Sequence, residues 1–268
     1  MIDSGLKERI SKLRGGPVSP THASIVIPVN AQKDFVFVRR LLLDLAGYSG
    51  SRRVEIVLVI NNYPAEDPPD EMLEYQEMGV LVIGIPRVLY EGGIAMAARI
   101  PGVRMAISRV VLLFDADCRI PNPTALIDWY ISRFEKGCDL AYTHVDYTDL
   151  PPGLSVKARL FVHHASRWIR RNILRIPTSR GSNYAIRREL MLDLFSKKRI
   201  PYDFHVGPVI KSLGGKIAYS GDRELVVLTS GRFFSPGWKV LFSYLIWRTG
   251  YYLRILRIKP TKKAVQDQ

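Results

Sequence analysis

Two aspartates one residue apart, Asp115 and Asp117, follow directly on the apolar run Val110–Phe114 in "RVVLLFDADCRIP". A strand that apolar is buried on both faces, and Asp is common in the turn that ends one. A pair at this spacing can also converge on one divalent ion. Carboxylate oxygens suit Mg2+ or Mn2+, hard cations that take phosphate oxygens as further ligands. Such an ion offsets the charge that develops as a diphosphate departs. The chemistry to which the pair points is activation of a diphosphate leaving group.

The elements around the pair must place it on a rim. "ASIVIPV" (23–29), "RVEIVLVIN" (53–61), "VLVIGIP" (80–86) and "RVVLLFD" (109–115) read as strands. Between them lie "DFVFVRRLLLDLAG", with Asp34 placed to cap it, "PPDEMLEYQEMG", and the Ala-rich "GGIAMAARIPGVRMAIS", which Pro101 can kink. Strands alternating with helices predict an α/β fold with a mainly parallel central sheet. Ligands of such sheets sit outside the carboxyl ends of the strands, where "NAQKD", "NNYPAED" and "DADC" all fall. Beyond Pro121 a helix, a strand, a basic aromatic helix (155–174), a strand, two helices and a strand follow. No linker-like segment separates the halves, so the second is expected to complete one single-domain sheet and to wall one cleft.

Lys plus Arg is 39 against 25 Asp plus Glu, a net charge of +14. That excess favours an anionic partner: nucleic acid, a membrane face or a phosphorylated substrate. No nucleic-acid motif is present, so nucleic acid is not expected. Cys118 and Cys138 form no Cys-x-x-Cys pair, which argues against a zinc site or a disulfide framework. The N-terminus has no apolar h-region and no apolar run reaches the roughly 20 residues of a membrane span. A cytoplasmic protein is expected. The tail "SPGWKVLFSYLIWRTGYYLRILRIKPTKK" is interrupted by Arg248, Arg254 and Arg257 but could lie in an interface, with Trp238, Trp247 and Tyr251 at headgroup depth. The expectation is peripheral attachment to an anionic inner membrane face.

Six segments in order resemble the family 2 glycosyltransferases. "SIVIPVN" is similar to that family's first strand, "EIVLVINN" to its second, "GGIAMAARIPGVRMA" to its G-x-A-x-A-R-N segment, and "LLFDADCRIP" to its metal-binding stretch. "RGSNYAIRREL" resembles its acceptor-side segment, and "YDFHVGPVIKSLGGKIAY" its E-D-x-x-L segment; "LTSGR" is also familiar near the end of such enzymes. The resemblance implies a GT-A (Rossmann-like) fold and inverting transfer of a hexosyl group from a nucleotide-diphosphate sugar, UDP-linked, with Mn2+ or Mg2+. Residues 1–22 would then be an N-terminal extension, 23–121 the nucleotide-sugar half, 122–232 the acceptor half, and 233–268 the basic aromatic tail. Pro28, Asn30, Asn61 and Arg99 would line the donor nucleotide, Arg99 approaching its base or phosphates. Asp115 and Asp117 would hold the metal and the ribose-diphosphate, and Asp203 would be the catalytic base. Gly181, Ser182, Asn183 and Tyr202 would border a glycan or lipid-linked hydroxyl acceptor.

Three positions depart from the family pattern. Asn61 replaces an acid, so the group facing the base can donate as well as accept. Tyr202 replaces the Glu before Asp203, and Pro101 stands near the position of an Asn. Asp203 has a plain alternative as the N-cap of its helix, and His205 is a rival base. His163 and His164 are neighbours on a helix and do not face one way, which argues against a joint metal site. Gly92 and Gly93 could free backbone amides for phosphate. A nucleotidyltransferase would carry a Gly-rich basic loop after its first strand, and "PVNAQKD" has none. A non-catalytic sugar-nucleotide or glycan-binding protein of the same fold is the alternative function.

Overall fold

The computed structural model describes residues 4–14, 20–86, 94–231 and 237–257. Gly92 and Gly93 and residues 258–268 of the tail lie outside the described residues, as do the side chains of Trp247, Arg248, Arg254 and Arg257. The four expected strands form as β1 (Ala23–Asn30), β2 (Val54–Asn61), β3 (Leu81–Ile85) and β4 (Val110–Leu113). Every residue of β2, and all of β1 except Asn30, is buried, as continuous apolar runs demand when both faces are covered. Helices α1 (Ser4–Arg14), α2 (Phe35–Leu45), α3 (Asp70–Glu77) and α4 (Ile94–Met105) separate them.

The second half supplies α5 (Pro123–Glu135), β5 (Leu140–Thr143), β6 (Val145–Thr148), α6 (Leu154–Trp168), β7 (Tyr184–Arg187), α7 (Arg188–Ser196), α8 (Asp203–Ser212), β8 (Ile217–Ser220), β9 (Val227–Ser230) and α9 (Trp238–Arg257). The main sheet runs β3-β2-β1-β4-β7-β5-β8, so β7, β5 and β8 extend the sheet of the first half. Only β7 is antiparallel to its neighbours. One apolar core lies on the face of α1, α2 and α5, and a second on the face of α4, α7 and α8.

The chain steps outward from β1 to β3 and returns to lay β4 on the other side of β1. Strand order reverses there, and the carboxyl ends of β1 and β4 part to leave a crevice. Pairing between β1 and β4 stops at Val26. Pro28, buried and in register with Val59 of β2, therefore interrupts no ladder on the β4 side by its missing N–H.

Two expectations about helix ends need correction. Asp34 occupies the cap position of α2 but makes no side-chain capping bond; its Oδ2 instead accepts from the Asn30 backbone N–H at 3.0 Å and tightens the loop after β1. Asp203 is not an N-cap: Tyr202 holds that position and Asp203 is the first helical residue.

Helix α4 runs on through Pro101 and lies very close to the sheet at Gly102. A Cβ there would come within 2.6 Å of methyls of both Val26 and Val59. Gly102→Ala should overpack this contact and destabilise by about 1–3 kcal/mol, read as a lower urea midpoint at unchanged m-value.

Candidate functional site

The carboxyl ends of β1, β2 and β4 carry the expected donor residues. Asn30 organises the first loop: its Oδ1 accepts from the Gln32 N–H at 3.0 Å and from Asn62 Nδ2 at 3.4 Å. Asn61 closes β2 and is 2% exposed. Its amide nitrogen donates to the carbonyls of Val29 at 3.0 Å and Val59 at 3.4 Å. With both hydrogens spent on backbone, Asn61 can meet a base only as an acceptor, as the acid it replaces would.

The "DADC" turn is fixed at several points. The Cys118 N–H bonds the Asp115 carbonyl at 3.1 Å, and Arg119 exchanges backbone bonds of 2.7 and 3.0 Å with Leu228 at β9. That clip brings Thr229 to the acids, where its Oγ1 donates to Asp117 Oδ1 at 3.1 Å. Nothing in the "LTSGR" stretch announces this partnership, because the two residues stand 112 positions apart.

Arg99 ties the two halves together. It is the largest fully buried side chain. Its Nη1 donates to Asp203 Oδ2 at 2.5 Å, and its Nη2 bonds Asp115 Oδ1 and, at 3.0 Å, the Gly181 carbonyl. The expectation that Arg99 approaches base or phosphates is corrected here. Its guanidinium is enclosed in protein and bridges the aspartate that follows β4 to the aspartate that opens α8. Burial alone would lower the Arg99 pKa, but the fields of Asp203 and Asp115 outweigh it and leave the cation locked in.

Gly181 is required by this packing. A Cβ at that position would lie 2.5 Å from Asp203 Oδ2 and 2.7 Å from Arg99 Nη2. Ser182 and Asn183, expected to border an acceptor, are 5% and 1% exposed. The Ser182 carbonyl accepts from Cys118 Sγ at 3.3 Å. Asn183 Nδ2 donates to Thr143 Oγ1 at 2.6 Å and to the His144 carbonyl at 3.4 Å, and its Oδ1 accepts from the Tyr130 hydroxyl. These side chains hold β5, β7 and α5 together and do not face a cleft.

Tyr202 is 36% exposed and stacks on Phe204 at 5.4 Å. The Tyr184 hydroxyl donates to Asp203 Oδ1 at 3.3 Å. His205, the rival base, is 1% exposed and stacks on Tyr251 of α9 at 3.7 Å; it packs as a core aromatic.

The charges of this cluster fit a divalent cation. Burial pushes the Asp115 carboxyl up to about 6 against the pull of Arg99, and the carboxylates of Asp203, Asp117 and Asp34 add to the rise. The ion pairs of Arg99 are with Asp115 and Asp203, and Asp117 stands beside Asp115. No set of three or more metal-ligating side chains occurs among the described residues. The carboxylate pair Asp115 and Asp117 would suit an ion that draws its other ligands from a bound diphosphate.

No known protein family's sequence profile matches the chain, and no curated protein matches it in sequence. Solved structures do match in shape. A mannosyltransferase from Pyrobaculum calidifontis in complex with GDP-Man and Mn2+ superposes with a TM-score of 0.58 at 13% identity, over 94% of this chain and 72% of that one. The chain has the GT-A fold. Glucosyl-3-phosphoglycerate synthase from Mycobacterium tuberculosis, in complex with Mn2+, UDP and phosphoglyceric acid, aligns over 94% of this chain and 84% of that one, with a TM-score of 0.48 at 17% identity.

Two outcomes are expected. Arg99→Met leaves the carboxylates of Asp115 and Asp203, 39% and 17% exposed, without their cation and should cost about 1–3 kcal/mol of stability, read by urea denaturation. In metal-free protein, Asp115 has its pKa raised from 3.8 to about 6. The neutral carboxyl is therefore the form favoured by folding. Its contribution is full below the unfolded value and is lost as pH rises through the folded one. Asp115→Asn should remove the part of the stability decline between those two values that the chelated wild type shows.

Proposed function

We propose that the chain is an inverting glycosyltransferase that moves a hexosyl group from a nucleotide-diphosphate sugar to a hydroxyl acceptor, with Mn2+ or Mg2+. The observation that carries this reading is the bridge Asp115–Arg99–Asp203 at the carboxyl rim of a GT-A sheet. It joins the acid pair suited to a diphosphate to a carboxylate on the opposite wall.

The nucleotide would lie across the β1–β4 crevice, its base against Asn61 and the loop after Pro28 that Asn30 shapes. Asp117 and Asp115 would hold the metal, which supplies charge neutralisation for the departing diphosphate. Asp203 would take the proton of the acceptor hydroxyl as that oxygen attacks from the face opposite the diphosphate. Arg99 holds the Asp203 carboxylate in place through Oδ2, and Oδ1 carries the longer bond from Tyr184. Gly181 and Tyr202 would flank the acceptor, a glycan or a lipid-linked molecule. UDP is the expected nucleotide, and an acceptor-only Asn61 is compatible with the N–H of a uracil edge.

The test is thermal stabilisation by UDP and GDP, each with and without Mn2+. A nucleotide at about 100 times its dissociation constant should add roughly 2.7 kcal/mol, seen as a raised Tm. The expected result is a shift with UDP that requires Mn2+ and is lost in Asp117→Ala. A GDP-selective shift would reassign the donor, and no shift with either would remove the reading.

A further inference from the structure

Helix α6 is turned inside out. Its inner face buries Val156, Arg159, His163 and Arg167, and Arg170 of the π-helical turn that continues it (Ile169–Ile173) is buried as well. Its outer face carries Leu154, Phe161 and Trp168, spaced by seven residues, with Ile169 and Ile173 beyond. Phe161 is 73% exposed and Trp168 54%. A helix bordering water does the opposite and turns its apolar stripe to the core. Helix α9 packs against α6 and also exposes Phe242 and Ile246. An exposed apolar stripe such as that of α6 marks a contact site.

The charge around the face names the contact. No acidic residue occurs from Leu150 to Arg188, and Lys157, Arg171 and Arg175 flank the apolar side chains. Between Phe161 and Trp168 opens a pocket of about 280 Å3, floored by His144, His164, Arg167 and Arg171. The Arg171 guanidinium stands 3.9 Å from the centre of the Tyr219 ring and makes no hydrogen bond or ion pair among the described residues. His164 lies 3.7 Å from Asp146 and stacks on His144 at 5.4 Å. Burial, then the fields of Arg167 and His164, hold His144 neutral down to about 4, against the opposing pull of Asp146. The pocket is thus positive, with aromatic lips.

We propose that the outer face of α6 rests on an anionic bilayer surface, with Phe161 and Trp168 at headgroup depth and a lipid phosphate seated against Arg171. Aromatic side chains beside arginines are the combination that lies stably in the headgroup region. The surface does not depend on sugar transfer. It shifts the main attachment from the C-terminal tail to α6, with α9 as its flank.

The test is sedimentation of the full chain with vesicles of phosphatidylcholine alone and with about one-third phosphatidylglycerol. Binding is expected to the mixed vesicles and to persist when inorganic phosphate is added at matched ionic strength. The double variant Phe161→Ser, Trp168→Ser should fall to background, and Arg171→Gln should bind about fivefold more weakly, both with unchanged thermal melting. Three results would overturn the proposal. One is wild-type protein left in the supernatant, or released by free phosphate. Another is wild-type affinity in the double variant. The last is a dimer in light scattering that the double variant abolishes, which would give the face to a second copy.

Discussion

The buried cation of Arg99 is the constraint on which the rest of the site depends. A guanidinium taken wholly out of water is costly unless its charge and its donors are met. Here they are met by Asp115, Asp203 and the Gly181 carbonyl, which come from three segments far apart in the chain. Meeting that demand fixes where α4, β4 and α8 stand relative to one another. It also explains Gly102, where α4 must approach the sheet, and Gly181, where a methyl group would collide with the ion pair.

The same bridge gives the site its chemistry. Asp115 and Asp203 share one cation, so neither can shift without disturbing the other. Arg99 pairs with Asp115 and Asp203, and Asp117 stands beside Asp115, where the proposed divalent ion would offset the repulsion between the two acids. The second wall is equally determined. Arg119 pairs with Leu228, which brings Thr229 to Asp117, and Asn183 binds β5 to β7.

Much of this was legible in the sequence, for physical reasons that can be named. The first four strands are buried on both faces, so their apolar runs stand out, and the acid pair follows the last of them. The partners of Arg99 could not be read. In an Ala-rich helix an arginine looks like a solvated residue, and its carboxylates are 16 and 104 positions away. Ser182 and Asn183 were placed beside the acceptor by resemblance to the family's motif, yet both are buried and the Asn183 side chain is spent on tertiary hydrogen bonds. Helix α6 was legible as a helix, but not which face it shows. It read only as basic and aromatic, and the structure buries Arg159, Arg167 and Arg170.

The central claim is that Asp203 removes the acceptor's proton while Arg99 and Asp115 hold it in place. The most direct measurement is nucleotide release from UDP-glucose and GDP-mannose in the presence of Mn2+, comparing wild type with Asp203→Asn, alongside calorimetric binding of the same donors. The account requires turnover by the wild type, and a loss of about 100-fold or more in the variant with donor affinity retained. Equal turnover in both proteins would contradict it, and donor binding without turnover in either would leave a sugar-nucleotide-binding protein in place of an enzyme.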